Sequence, residues 1–258
     1  MKHISYSELK IWSECPFKHK LMYIDKVKGF KGNEYTAFGR AIHSLCENTI
    51  VGNLNEEDYD DYFDMIFDNE IFQLGDEYEK KENLISEMRG QAKRISPLIL
   101  PEVSKYFGEY DVFSVEEKLF EKISDFSLDN CQFKGYIDLV IKTSDGKYHI
   151  IDWKTCSWGW DAKKRSDRLV TYQLTLYKKF FCIKHKVDPS MVETHFALLK
   201  RTAKKDNVEI FRVTSGPRKT NNATKLLHDA LTHIYRSHYV KNRLSCSRCE
   251  FNKSENCP

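Results

Sequence analysis

The strongest local constraint in this chain is an Asp145-Gly146 pair set between two apolar, β-branched runs, residues 131–142 and 147–154. A turn of that chemistry joins antiparallel strands, so the two runs are expected to pair as a hairpin. Asp138 interrupts the first run. In the second, Asp152 and Lys154 stand two apart, which sends both side chains from one face of the strand. Carboxylates brought together repel unless a cation neutralises them, and aspartate oxygens suit Mg2+ or Mn2+. Lys154 can then hold an attacking water or balance charge that grows on a phosphate. Taken alone, the pattern also describes a charged edge strand.

Around the hairpin the chain reads as helices, then sheet, then helices. Residues 5–24 and 35–51 read as helices, with Ser5 or Ser7 as an N-cap and a glycine-containing break at 29–33. Residues 55–75 and 83–107 continue the helical region, broken near Pro97 and Pro101. Strands are expected at 112–120, 131–142, 147–154, 192–200 and 208–213, with helices at 166–184 and 222–238. The implied architecture is an α/β fold, a mixed central sheet flanked by helices. One domain spans the chain, made of a helical region (1–110), a core (111–215) and a C-terminal helix and tail (216–258).

With 258 residues, 41% of them hydrophobic, the chain can bury a substantial core. Its first residues lack the apolar segment of a signal peptide, and no apolar run reaches the roughly 20 residues of a membrane span. A cytoplasmic protein with no membrane partner is expected. In a reducing compartment its 8 cysteines are not expected to form a disulfide framework, and clustered ones read as metal ligands. Net charge is only +3, but residues 55–82 are acidic whereas Lys163, Lys164, Arg165, Arg168 and many later positions are basic. The acidic stretch reads as a solvated helical face, and the basic set suits the approach of a polyanion to the hairpin. There is no phosphate-binding loop of the nucleotide-hydrolysing type, so any unwinding of a duplex falls to a helicase or recombination partner.

On the helix after the hairpin, Leu169, Tyr172, Leu176 and Phe180 form an apolar stripe, and Gln173 and Tyr177 share a neighbouring face. A glutamine there can position a carboxylate or phosphate, and a tyrosine can stack on a base, although a packed tyrosine beside a surface glutamine has the same spacing. Gly135-Tyr-Ile-Asp138, Asp152-Trp-Lys154-Thr155 and Gln173-Leu-Thr-Leu-Tyr177 resemble, in order, the three signature motifs of the RecB-like branch of the PD-(D/E)xK nucleases. Phe38-Gly-Arg-Ala-Ile-His43 is similar to the helical histidine motif upstream in that branch. The resemblance implies a restriction-endonuclease-like core in which His43, Asp138, Asp152 and the carbonyl of Trp153 hold Mg2+ or Mn2+. It assigns catalytic roles to Asp138, Asp152, Lys154 and an upstream strand glutamate, Glu116 or less well Glu117. Gln173 and Tyr177 would position DNA.

Cys246-Ser-Arg-Cys249 and Cys257 crowd three thiols into a tail too short to fold by apolar burial, and Cys15 lies near the other end. This layout resembles the iron-sulfur members of the RecB-like group, which include the CRISPR-associated adaptation exonucleases and the AddB nuclease domain. The resemblance implies a 4Fe-4S cluster on Cys15, Cys246, Cys249 and Cys257, acting as a structural clasp; four thiolates suit Zn2+ equally well by ligand type. Cys46, Cys131, Cys156 and Cys182 read as buried small hydrophobes. Trp153, Trp158 and Trp160 read as core or rim aromatics, with Trp158 or Trp160 able to stack on a base. The function expected is metal-dependent DNA exonuclease activity on single strands or free ends. A non-catalytic DNA-binding or assembly subunit, or a CRISPR spacer-processing nuclease, are the alternatives.

Overall fold

The computed structural model describes residues 3–75, 77–124, 126 and 130–258. From the amino terminus, β1 (His3–Ser5) leads into α1 (Tyr6–Glu14), the four-residue α2 (Pro16–His19) and a π-turn at Lys20–Ile24. Then come α3 (Glu34–Ile50), α4 (Tyr59–Phe72), α5 (Glu82–Ile95) and α6 (Ile99–Phe107). The strands β2 (Tyr110–Lys122), β3 (Gln132–Thr143) and β4 (Tyr148–Cys156) follow. Two helices, α7 (Ala162–Ser166) and α8 (Arg168–His185), cross to β5 (Val192–Lys200), and β6 (Val208–Val213) and α9 (Pro217–Tyr235) complete the order.

Turn chemistry sets the hairpin. Gly146 adopts φ 81°, open to a residue without a Cβ, and Asp145 Oδ1 accepts from the Thr143 hydroxyl (2.6 Å) and the Lys147 N–H (3.2 Å). The sheet is mixed, in the order β1-β3-β4-β5-β6, with β2 on the other edge of β3. β4 and β5 are parallel, and α7 and α8 form their crossover. One edge of β3 is shared: β1 pairs with it at Gln132–Lys134 and β4 at Leu139–Lys142. Between those pairings, at residues 135–138, the sheet forks.

Side-chain alternation gives each face its own core. Phe133, Ile137, Val140 and Ile150 pack towards α1, α8 and α9, whereas Leu139, Ile141, Ile151 and Trp153 pack towards α3 to α6. Ile137 and Leu139 are two apart yet face opposite layers, so the period-two pattern breaks at Asp138. The partner strand breaks with it. Its ladder runs from Val115–Leu139 to Glu117–Ile137 and skips Glu116, whose φ of 46° lies in the left-handed region. Such strain in a non-glycine residue persists only where its surroundings hold it.

Several expectations need correction. The first helix does not begin the fold and does not run to residue 24: β1 precedes it, Ser5 caps it by accepting from Glu8 N–H, and Cys15, at φ −160°, breaks it before Pro16. The chain breaks at Pro97, but Pro101 lies within the first turn of α6, where a missing N–H costs nothing. The last helix starts earlier, at Pro217, and ends at Tyr235. The acidic face of α4 is partly neutralised by α5, since Arg89 pairs with Asp64 and Asp68 and Lys93 with Asp60. Asp76 of the acidic stretch, and Met1 and Lys2 of the amino-terminal segment, lie outside the described residues.

Candidate active site

The fork gathers residues from four elements. Where β4 leaves β3, the Trp153 N–H turns from the ladder and donates to Asp138 Oδ2 at 2.7 Å. Asp152, one residue before it, is 1% exposed; its Oδ1 accepts from Gln173 Nε2 on α8 at 2.9 Å and its Oδ2 pairs with Lys154 Nζ. Gln173 also donates to the Tyr177 hydroxyl, 3.2 Å away. From the opposite layer α3, begun by a capping box between Asn33 and Thr36, brings His43 Nδ1 to 3.6 Å from Asp138 Oδ2. Six residues expected at one site, His43, Asp138, Asp152, Lys154, Gln173 and Tyr177, thus occupy one place.

Gly135 explains how α8 gets so close. A Cβ there would stand 2.8 Å from Tyr177 Cε1, so only glycine lets the tyrosine ring lie against β3 at the fork. The first motif is therefore partly a packing motif.

The electrostatics are those of a site that wants a cation. Burial pushes Asp138 up to about 6 and Asp152 up to about 6, against the opposing pull of Lys154. His43 is pushed down to about 4 by burial and then by Lys154, leaving a neutral imidazole with a lone pair to donate. Burial opposes the charge of Lys154, but Asp152 and Asp138 outweigh it and its ammonium is held above the usual range. A divalent ion would offset the repulsion between the two carboxylates that one lysine leaves unbalanced. The donor set, one imidazole and carboxylate oxygens, fits Mg2+ or Mn2+.

The two candidate glutamates of β2, Glu116 and Glu117, part company. Glu117 pairs with Lys184 and His185 of α8, away from the fork, whereas Glu116, exposed, shares a hydrogen bond with Glu47 and acts on Asp138. Glu47 was not anticipated from the sequence. It lies one helical turn beyond His43, and that i, i+4 spacing was the available signal. Its carboxyl is raised to about 8 by burial and by Glu116.

Trp153 is fully buried, so its backbone alone faces the fork. Trp160 is also buried and bears Lys164 over its ring at 4.8 Å, which removes it as a stacking platform. Trp158 is 69% exposed in the loop after β4. Arg165 of the basic set is tied to Glu209 and the Trp160 carbonyl.

At the other end of α1, Cys15, Cys246, Cys249 and Cys257 line one cavity of about 490 Å³ with Lys18 and Arg248. The tail is stapled there by the chain itself: Asn242 Nδ2 and Ser245 Oγ both donate to the Glu14 carbonyl, and Asn242 N–H donates to Cys15 Sγ at 3.4 Å. Donor number, an N–H aimed at sulfur and cationic walls fit a thiolate-bound group. Of the remaining cysteines, Cys46, Cys131 and Cys182 are buried, but Cys156 is only half-buried.

Among solved structures the chain is similar to a Eubacterium rectale protein provisionally described as an exonuclease, with 15% identity, 96% of this chain and 86% of that chain covered, and a TM-score of 0.60. The structure of SSO0001 aligns at 14% identity over 97% and 84% of the two chains, with a TM-score of 0.45 too low to carry an argument. No curated protein matches in sequence. The first likeness supports the fold alone. A model of the PD-(D/E)XK nuclease superfamily matches residues 3–254, nearly the whole length, and the chain belongs to that superfamily.

Proposed function

We propose that this protein is a metal-dependent DNA exonuclease acting on single strands or free ends. The observation that carries the reading is the convergence of His43, Asp138, Asp152 and Lys154 at the fork, with Gln173 and Tyr177 closing its α8 side. His43, Asp138, Asp152 and the Trp153 carbonyl would hold Mg2+ or Mn2+, which when bound stabilises charge on the phosphate and the leaving oxygen. Lys154 orients the attacking water and takes up negative charge as the phosphorus gains a fifth oxygen. Gln173 fixes the orientation of Asp152, and Asp138 is fixed by the Trp153 N–H. Glu116 approaches from β2 as a further carboxylate. A scaffold that had given up catalysis would not need this set intact.

Cys15, Cys246, Cys249 and Cys257 would hold a 4Fe-4S cluster that clasps the ends of the chain. Four thiolates suit Zn2+ equally well by ligand type, and Zn2+ is the alternative occupant. A helicase or recombination partner would supply the ends; spacer processing would differ in partners and not in chemistry.

The experiment is degradation of single-stranded DNA by purified wild type, Asp152→Ala and Lys154→Ala with Mg2+ or Mn2+. Loss of at least 1,000-fold in both folded variants is expected. Cleavage at wild-type rate in either sinks the reading.

A further inference from the structure

We propose that His149, Glu193 and His195 form a second metal site, separate from the fork, that takes a first-row transition-metal ion of the Zn2+ type. The site follows from strand pairing. Parallel pairing of β4 with β5 sets His149 opposite Glu193 and Ile151 opposite His195, and residues 193 and 195 leave β5 on one face. One ligand atom from each of the three side chains lies within 4.8 Å of the others. His149 Nδ1 and His195 Nε2 are 3.1 Å apart, close to the roughly 3.3 Å that two imidazole nitrogens keep on a tetrahedral ion with Zn–N bonds of about 2.0–2.1 Å.

The surroundings orient these donors. Thr143 Oγ1 donates its proton to Asp145 Oδ1 at 2.6 Å, so it accepts from His149 Nε2, 3.0 Å away. His149 therefore carries its proton on Nε2 and presents the Nδ1 lone pair to the trio. Metal-bound histidines donate their far N–H to an oxygen acceptor that fixes the ring, and Thr143 Oγ1 takes that part here. Without metal, His195 Nε2–H therefore donates to His149 Nδ1 across the 3.1 Å gap; a bound ion would take the place of that proton, with the His195 proton moving to Nδ1, which has no other hydrogen-bond partner among the described residues. Arg212 and Lys147 approach Glu193 through Oε1, at 3.2 and 3.8 Å, and hold the carboxylate beside the histidines.

Chemistry selects the ion. Two imidazoles and one carboxylate suit zinc and its neighbours, whereas Mg2+ prefers oxygen and keeps its waters. His149 and His195 are 8% and 2% exposed, and the Phe107 ring lies 5.0 Å from each, a dry setting that disfavours a hydrated ion. Asp152 belongs to the opposite side of the sheet, bonded to α8, so this site neither shares ligands with the fork nor depends on the nuclease reading. Three protein ligands leave a fourth position for water. A bound ion would tie β4 to β5 beneath the end of α6.

The test is elemental analysis of the purified full chain after equilibration with Zn2+ and removal of free metal. His149→Ala and Glu193→Gln should each lose one zinc equivalent relative to wild type, with circular dichroism showing which variants are folded; Glu193, 17% exposed, tolerates the near-isosteric Gln if the core substitution does not fold. Thr143→Val should weaken Zn2+ binding about 10-fold, the loss typical of an orienting partner. Wild-type zinc content in a folded His149→Ala or Glu193→Gln overturns the proposal, as does zinc lost only on Cys246→Ser.

Discussion

Tyr177 rests on Gly135 so closely that the glycine has no room for even a methyl group: the nearest ring carbon would be 2.8 Å from a Cβ. The contact joins α8 to β3 at the point where the sheet forks. Gly135→Ala should destabilise the protein by about 1–3 kcal/mol through overpacking, and Tyr177→Leu in the same chain should return part of that loss. Urea unfolding of the two single variants and the double variant measures the coupling.

Gln173 donates to Asp152 and so keeps a buried carboxylate in one orientation. Gln173→Ala should lower cleavage about 10-fold or more, the scale on which orienting partners act. Gln173→Glu should be worse, because it sets a second carboxyl against Asp152 where the amide donated a proton. Comparison of kcat and KM for the two variants on single-stranded DNA distinguishes lost orientation from added repulsion.

Glu47 should dominate the alkaline side of stability in metal-free protein. Its folded value of about 8 stands above the ordinary 4.5, raised by burial and by Glu116, so the folded state holds the proton more tightly than the unfolded chain. The stabilisation is complete below about pH 4 and is lost as pH rises through 8. Asp138 and Asp152, raised to about 6 by burial, lose theirs earlier. Between pH 6.5 and 8 the melting temperature of wild type should therefore fall, and that of Glu47→Gln should stay flat.

How much of this was legible beforehand depended on the range of the interaction. Asp145-Gly146 encodes its turn within four residues, and β5 and β6 begin and end where their apolar runs do. β1 was hidden because three residues carry no period, and it exists only through pairing with β3. The choice between Glu116 and Glu117 was open because alternation fails on both strands at that level, and no single strand announces a left-handed residue. His149 and His195 are 46 positions apart and meet only because β4 and β5 run parallel.

Trp158 is the large aromatic left exposed in the loop that follows β4. Trp158→Ala should cost about 1–3 kcal/mol of single-strand affinity if it stacks on a base, with little effect on melting temperature. Fluorescence anisotropy with a labelled oligonucleotide, under metal-free conditions, reads the first quantity.

The 4Fe-4S cluster proposed for Cys15, Cys246, Cys249 and Cys257 should matter most to the unfolded chain. A link from Cys15 to Cys246 encloses most of the polypeptide, and closing so long a loop is worth on the order of 5 kcal/mol of chain entropy. Cys15→Ser and Cys246→Ser should therefore lower the melting temperature alike and abolish the visible absorption of anaerobically purified protein together.

The pairing of β1 with β3 also dictates an order of events at the ribosome. His3 is synthesised about 130 residues before Gln132, its neighbour in the sheet, and the fork beside that pairing stays open until β4 has emerged. A nascent chain thus carries His43 long before Asp138 and Asp152 can join it. The cutting centre is assembled only when most of the protein has left the exit tunnel, so translation itself delays the moment at which a freshly made copy can act on nucleic acid.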